Sequence, residues 1–219
     1  LQCKASDLAR HKGNYDAGWD ALRQSRHDRQ IELGLLPAGT VLAPRNTEEG
    51  DEVAPWESLG AEDQALFARY MEVYAAMVDS VDQSVGRLYA ALEELGEADN
   101  TIFVFLSDNG ASREGEAEGT TSYFRTLVSK NVTDMEDIEF DRTRIDLAGG
   151  PQTLVHYPRG WAMASNTPFR LYKINTHAGG HSVPFIFHWP RGVEGRGGHQ
   201  GLRDQWSHIT DLLPTLCQL

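Results

Sequence analysis

The chain has 219 residues, 40% of them hydrophobic and 24% charged, which supports one sizeable core. Its 32 acidic residues against 20 basic ones leave a net charge of −12. That balance argues against a nucleic-acid partner and against adsorption to an anionic membrane surface, and no apolar run approaches membrane-spanning length. A local basic pocket remains compatible with an acidic surface.

Residues 1–56 are polar and rich in breakers, and form a loop-rich, helical lead-in. Tyr15, Trp19 and Leu22 have helical spacing, which predicts a short helix over 16–33; Pro37, Gly39 and Pro44 end regular structure beyond it. The acidic stretch 48–52 reads as a solvated loop. Residues 57–219 then form a helix–strand core carrying the site loops. Phe67, Tyr70, Tyr74, Met77, Val81, Val85, Leu88, Leu92 and Leu95 recur every three or four positions. They predict the core face of one long helix over 61–95, or of two nearly in line, with Gly96 as its stop. The apolar run 101–107 predicts a buried strand. Helix, tight turn and buried strand are the order expected of a layered α/β domain, a sheet with flanking helices.

Residues 111–150 show no period and read as a long loop, and Asn131 and Thr133 form a sequon that matters only in a secretory pathway. Residues 183–189 predict a second buried strand, with Pro184 at an edge or at its start. Residues 191–200 are glycine-rich and exposed in character. Trp206, Ile209, Leu212, Leu213 and Leu216 predict a final amphipathic helix that Pro214 either kinks or begins. Cys3 and Cys217 lack the spacing of a zinc site and read as two free thiols.

Chemistry concentrates at two places. Asp108, Asn109 and Gly110 follow the first strand, where open α/β sheets build their sites. A carboxylate beside a carboxamide offers hard oxygen donors suited to Ca²⁺ or Mg²⁺, although the same residues make a good turn. Lys173 precedes His177, Gly179, Gly180 and His181. A lysine there can hold an anionic group as a point charge, and the glycines allow close backbone approach; a surface lysine beside a loop is the plainer alternative. The Gly-Gly pair between His177 and His181 argues against a helical metal pair.

The order of these motifs resembles the sulfatase family, within the alkaline-phosphatase superfamily, and most closely its bacterial arylsulfatases. The likeness runs through 12–20, 69–77, 107–110, 165–173, 176–180, 183–190 and 208–215. It implies an alkaline-phosphatase-like α/β fold and hydrolysis of sulfate monoesters by a metal-assisted formylglycine mechanism. Asp108 and Asn109 match two metal ligands, usually for Ca²⁺. Lys173 matches the lysine that contacts the sulfate, and His177 lies beside it. The family's nucleophile arises within Cys-x-Pro-x-Arg, which does not occur here; Cys3 is followed by Lys4, Ala5 and Ser6, and Cys217 by Gln218 and Leu219. The family's first acidic pair is also missing, and Ala178 and His181 depart from its common residues. The chain is therefore expected to be an incomplete catalytic domain, inactive alone, with formylglycine on an upstream part. The expected partner is a small-molecule sulfate ester, in a bacterial cytoplasm in preference to the periplasm. A phosphonate monoester hydrolase or phosphodiesterase of the same superfamily is the enzymatic alternative, and a non-catalytic binding module the other.

Overall fold

A 34-residue helix, α3 (Ala61–Glu94), is the spine of the molecule, about 50 Å long at 1.5 Å per residue. The computed structural model describes residues 2–124, 134–194, 201–203 and 205–219. The sequon at 131–133 and most of the glycine-rich stretch, 195–200, lie outside the described residues. Before α3 come α1 (Ala5–His11) and α2 (Gly18–Glu32). After it follow β1 (Phe103–Leu106), α4 (Asp134–Arg142), α5 (Arg159–Ser165), α6 (Ala178–His181), β2 (Phe185–His188), α7 (Pro190–Glu194) and α8 (Leu212–Gln218).

The core forms where the N-terminal half of α3 meets α2 and α5. Leu66, Phe67, Ala68, Tyr70, Met71, Val73 and Ala76 are all buried, at helical spacing on the inward side of α3. Trp161 of α5 is fully buried among aromatic rings, with Trp19, Trp56 and Tyr15 centred 5.6, 5.5 and 5.6 Å away. Buried indoles require acceptors for their N–H groups. Trp161 Nε1 donates to the Phe67 carbonyl at 2.8 Å, and Trp19 Nε1 to the Ala54 carbonyl at 3.1 Å. A second polar anchor ties α4 to the spine. Buried Asp141 accepts from the Tyr70 hydroxyl at 2.7 Å, from the Thr121 amide at 2.8 Å and from the Thr121 hydroxyl. Burial, then Asp141 itself, pushes the Tyr70 phenol well above its ordinary range, so it stays a donor.

Several expectations need correction. The periodic face does not remain in the core along its whole length: Val81, Val85, Leu88 and Leu95 are exposed. The helix outruns the core, and among the described residues its last turns reach the strand pair, where Tyr89 lies 5.5 Å from Phe103, and the turn at 98–100. The strands are not buried either. Phe105 is 50% exposed and all four residues of β2 are exposed. Among the described residues the sheet has two strands, antiparallel, pairing Phe103 with His188 and Leu106 with Phe185. Unbroken apolar strands are typical of sheets covered on both faces, and no such layering is present among the described residues. The 111–150 stretch, read as loop, contains α4, and α5 is a central helix with no amphipathic pattern because nearly every side is buried. Pro214 sits in the first turn of α8, where a proline is tolerated, and so begins that helix. Among the described residues, no helix is long and apolar enough to cross a membrane. Cys3 and Cys217 are both free thiols.

Two glycine substitutions should move stability in opposite directions. A Cβ on Gly160 would meet the Trp19 ring at 2.5 Å, whereas one on Gly86, exposed on α3, meets nothing within 4 Å. Gly160→Ala is expected to destabilise by about 1–3 kcal/mol through overpacking. Gly86→Ala is expected to stabilise by about 0.5–1 kcal/mol through helix propensity. Denaturant unfolding of the two variants beside the parent measures both.

Candidate active site

β1 delivers its chain end to the segment around Lys173 through backbone bonds. The Gly110 amide donates to the Gly180 carbonyl at 3.0 Å, and a Cβ at Gly110 would lie 1.7 Å from the Gly179 oxygen. Gly179 and Gly180 are as constrained: a Cβ on either would come within 2.0 Å of a carbonyl oxygen, of Leu171 and Asn175 respectively. All three positions demand glycine for close backbone approach. Ala111 extends the seam. Its amide donates to Asn166 Oδ1 at 2.9 Å, while Asn166 Nδ2 donates to the Leu171 carbonyl at 3.0 Å. The Lys173 amide in turn donates to the Ala111 carbonyl at 3.1 Å. Lys173 sits between two residues of positive φ, Leu171 at 62° and Ile174 at 72°. Non-glycine residues hold that conformation only where the surroundings over-determine it, which is a recurrent feature of functional loops.

Thus Asp108, Asn109 and Lys173, separated in sequence, belong to one hydrogen-bonded end of β1. Asp108 is exposed and Asn109 half-buried, with the Ser107 hydroxyl donating to the Asn109 carbonyl at 2.8 Å. Their oxygen donors have the hard chemistry of a Ca²⁺ or Mg²⁺ site, but Ca²⁺ takes about six to eight oxygens. Among the described residues, no group of three or more His, Cys, Asp or Glu is placed to hold a metal. The two residues therefore fit a share of such a site and not the whole. His177 is exposed at the start of α6, and its carbonyl accepts from the Gly180 amide at 2.8 Å.

The structure adds residues that sequence reasoning left in a featureless loop. Lys173 Nζ donates to Glu114 Oε1 at 2.8 Å. The other oxygen of Glu114 accepts from the Tyr123 hydroxyl at 3.0 Å and lies 3.0 Å from the Ser112 hydroxyl. Ser112 Oγ is also 3.0 Å from His156 Nε2. His156 Nδ1 lies 2.9 Å from the Tyr157 carbonyl, which can only accept, so the ring proton belongs on Nδ1. A neutral His156 then offers Nε2 as an acceptor, and the single Ser112 proton serves either the imidazole or Glu114. Burial pushes the His156 pKa down and favours this neutral form. The Lys173 hydrogen bond leads in holding the Glu114 carboxyl down to about 2, with Tyr123 and Ser112 adding to it against desolvation.

The acidic stretch read as solvated fixes these loops. Asp51 accepts from Arg113, from Arg159 at 3.1 Å, and from the Tyr172 hydroxyl at 3.1 Å. Glu48 pairs with Arg170, and Arg159 reaches Glu116 at 2.6 Å. The loop after β1 and the segment entering Lys173 are therefore clamped to one carboxylate-bearing turn. The acidic turn had no periodicity to reveal this role. The one available signal was its charge complementarity with Arg113, Arg159 and Arg170.

A strand end with oxygen donors is thus joined through glycines to the segment that carries a lysine. The Sulfatase family model matches residues 8–219. The chain is 31% identical over 219 residues to an uncharacterized sulfatase of Schizosaccharomyces pombe, covering all of this chain and 36% of that protein. It is 30% identical over 219 residues to an arylsulfatase of Klebsiella aerogenes, covering 99% of this chain and 42% of that protein. A shorter match, 50% identical over 44 residues, is to an N-acetylglucosamine-6-O-sulfatase of Bacteroides thetaiotaomicron, over 20% of this chain and 8% of that protein. This chain belongs to the sulfatase family. It spans well under half the length of these relatives.

The carboxylate of Glu114 should leave a signature in acid. Its folded pKa, about 2, lies below its ordinary value of 4.5, so on acidification the unfolded state takes up the proton first. The stability it contributes is present above about 4.5 and is lost as the pH falls toward about 2. Glu114→Gln is expected to reduce the pH dependence of the thermal midpoint across that window, lying slightly below the parent above about 4.5 and meeting it near 2. Thermal unfolding of parent and variant over a pH series checks this.

Proposed function

We propose that the protein carrying this chain hydrolyses sulfate monoesters, with an aryl sulfate as the class of small-molecule substrate. Family membership supports the reaction class. The observation that carries the residue roles is the seam joining Asp108 and Asn109 to Lys173 through Gly110, Gly179 and Gly180. Lys173 binds a sulfuryl oxygen through its ammonium and stabilises the negative charge redistributed as the S–O bond breaks. The glycines let the two backbones approach closely, which fixes the turn bearing Asp108 and Asn109 against the segment that bears Lys173. Glu114 takes one proton of the ammonium and leaves two free to donate.

Asp108 and Asn109 are proposed as two ligands of a Ca²⁺ ion, with Mg²⁺ the chemically similar alternative, the remaining donors coming from outside these 219 residues. When bound, such an ion polarises the sulfuryl oxygens. The formylglycine nucleophile of the family is likewise proposed to lie elsewhere in the protein, since neither Cys3 nor Cys217 has Pro-x-Arg after it. His177, exposed at the start of α6, is proposed as a substrate-side contact.

In the full-length protein, Lys173→Ala is expected to lower kcat/KM on an aryl sulfate by about two orders of magnitude, the usual cost of one oxyanion donor of about 3 kcal/mol. Thermal stability should hardly change, because the lysine is partly exposed. Parent-like kcat/KM would remove Lys173 from sulfate binding. Preference for a phosphate diester over the sulfate ester would place the protein in the phosphonate-hydrolase branch. Chelation should abolish turnover and added Ca²⁺ restore it, whereas Asp108→Ala should raise the Ca²⁺ concentration needed by at least about tenfold. Chelator-insensitive turnover would sink the metal assignment.

A further inference from the structure

We propose that Glu114 is a positioning residue for Lys173, holding its ammonium in the orientation that receives the sulfate group through a carboxylate whose other oxygen is held by Tyr123 and faces Ser112. This rests on the reading of Lys173 as the sulfate-binding group.

Three features carry it. The first is that both ends of Lys173 are referenced to one loop. Its amide donates to Ala111 at 3.1 Å, and its Nζ donates to Glu114, three residues further on, at 2.8 Å. A lysine side chain is long and flexible, and a free one would spread its ammonium over many rotamers; a charged acceptor fixed in the same loop selects one. The second is that Glu114 is itself held. Tyr123 and Ser112 engage its second oxygen, both at 3.0 Å, and its own amide donates to Ser112 Oγ at 3.3 Å. Half-buried His156, its ring fixed by the Tyr157 carbonyl, sets Nε2 3.0 Å from the same Ser112 Oγ as the alternative acceptor for its one proton. The third is placement. The Lys173 and Glu114 side chains are 31% and 38% exposed, and ion pairs so open to water contribute little to stability. A four-residue support behind such a pair is out of proportion to a stabilising role, and in keeping with one that sets geometry. Among the described residues Glu114 is the one side-chain partner of the ammonium, which has two further protons to offer an incoming oxyanion.

The test is a double-mutant cycle in the full-length protein with 4-nitrophenyl sulfate as the probe. Glu114→Gln keeps the shape and removes the charge; it is expected to lower kcat/KM about tenfold, the lower end of what supporting residues usually cost. Glu114→Asp should recover a large part of that loss. In a Lys173→Ala background, Glu114→Gln should cost less than about twofold, because the group it positions is gone. Thermal midpoints at neutral pH should stay near the parent's. Should Glu114→Gln fail to fold, Tyr123→Phe carries the same cycle, with a smaller loss that also disappears without Lys173. Parent-level or increased kcat/KM in Glu114→Gln would overturn the proposal, and an increase would mean that the carboxylate competes with sulfate. An undiminished tenfold loss in the Lys173→Ala background would also overturn it, by showing an effect that bypasses the lysine. Full activity in Lys173→Ala alone is a separate result: it removes the sulfate-binding reading first and this inference with it.

Discussion

Where Gly110 meets Gly179 and Gly180, two backbones approach so closely that no side chain can come between them. A hydrogen bond of 3.0 Å from Gly110 to Gly180 closes the contact, and a Cβ at 110 would overlap the Gly179 oxygen at 1.7 Å. Everything proposed for the site depends on this seam. It fixes the turn bearing Asp108 and Asn109 to the segment that ends α5 and leads to α6, and so sets Lys173 at the end of β1. A larger residue at any of the three positions would force the segments apart, and small displacements at a charged site carry a large cost in rate.

Around the seam the protein uses charge in a way that its composition does not suggest. With a net charge of −12, most carboxylates have no need of a partner. Yet Asp51 gathers Arg113, Arg159 and Tyr172 together, and Glu114 pairs with Lys173. Charge-assisted bonds of this kind are directional and short, so they fix loops that have few apolar contacts. The loop after β1 is thereby ordered by polar anchors, while the aromatic centre around Trp161 orders α2, α3 and α5. The two regimes meet at α5, whose first residue, Arg159, belongs to the charge network and whose third, Trp161, belongs to the core.

The exposed strands and the far half of α3 fit the same picture. Their sequences carry the unbroken apolar character of covered elements, and among the described residues that cover is incomplete. The chain spans 36% and 42% of its two full-length-matching relatives.

What the sequence determined by itself was local and periodic. The 3.6-residue repeat of Phe67, Tyr70, Tyr74 and Met77 marked α3, the spacing of Tyr15, Trp19 and Leu22 marked α2, and the apolar runs marked both strands, because these patterns reflect one element facing one core. The order of its motifs pointed to the family, and Asp108, Asn109 and Lys173 were identifiable as candidates from residue type and neighbours. Tertiary structure alone decided which parts of those patterns are buried, since Val81, Val85 and Leu88 have the right spacing and are nonetheless exposed. It alone decided α5, whose near-total burial erases any amphipathic period. It alone brought Glu114, Ser112, Tyr123 and His156 to Lys173, across separations of up to 59 residues between an ion pair's partners. Long-range polar contacts leave no period in a sequence, because each is a single pairing set by how the loops are held in space and not by the repeat of any one element.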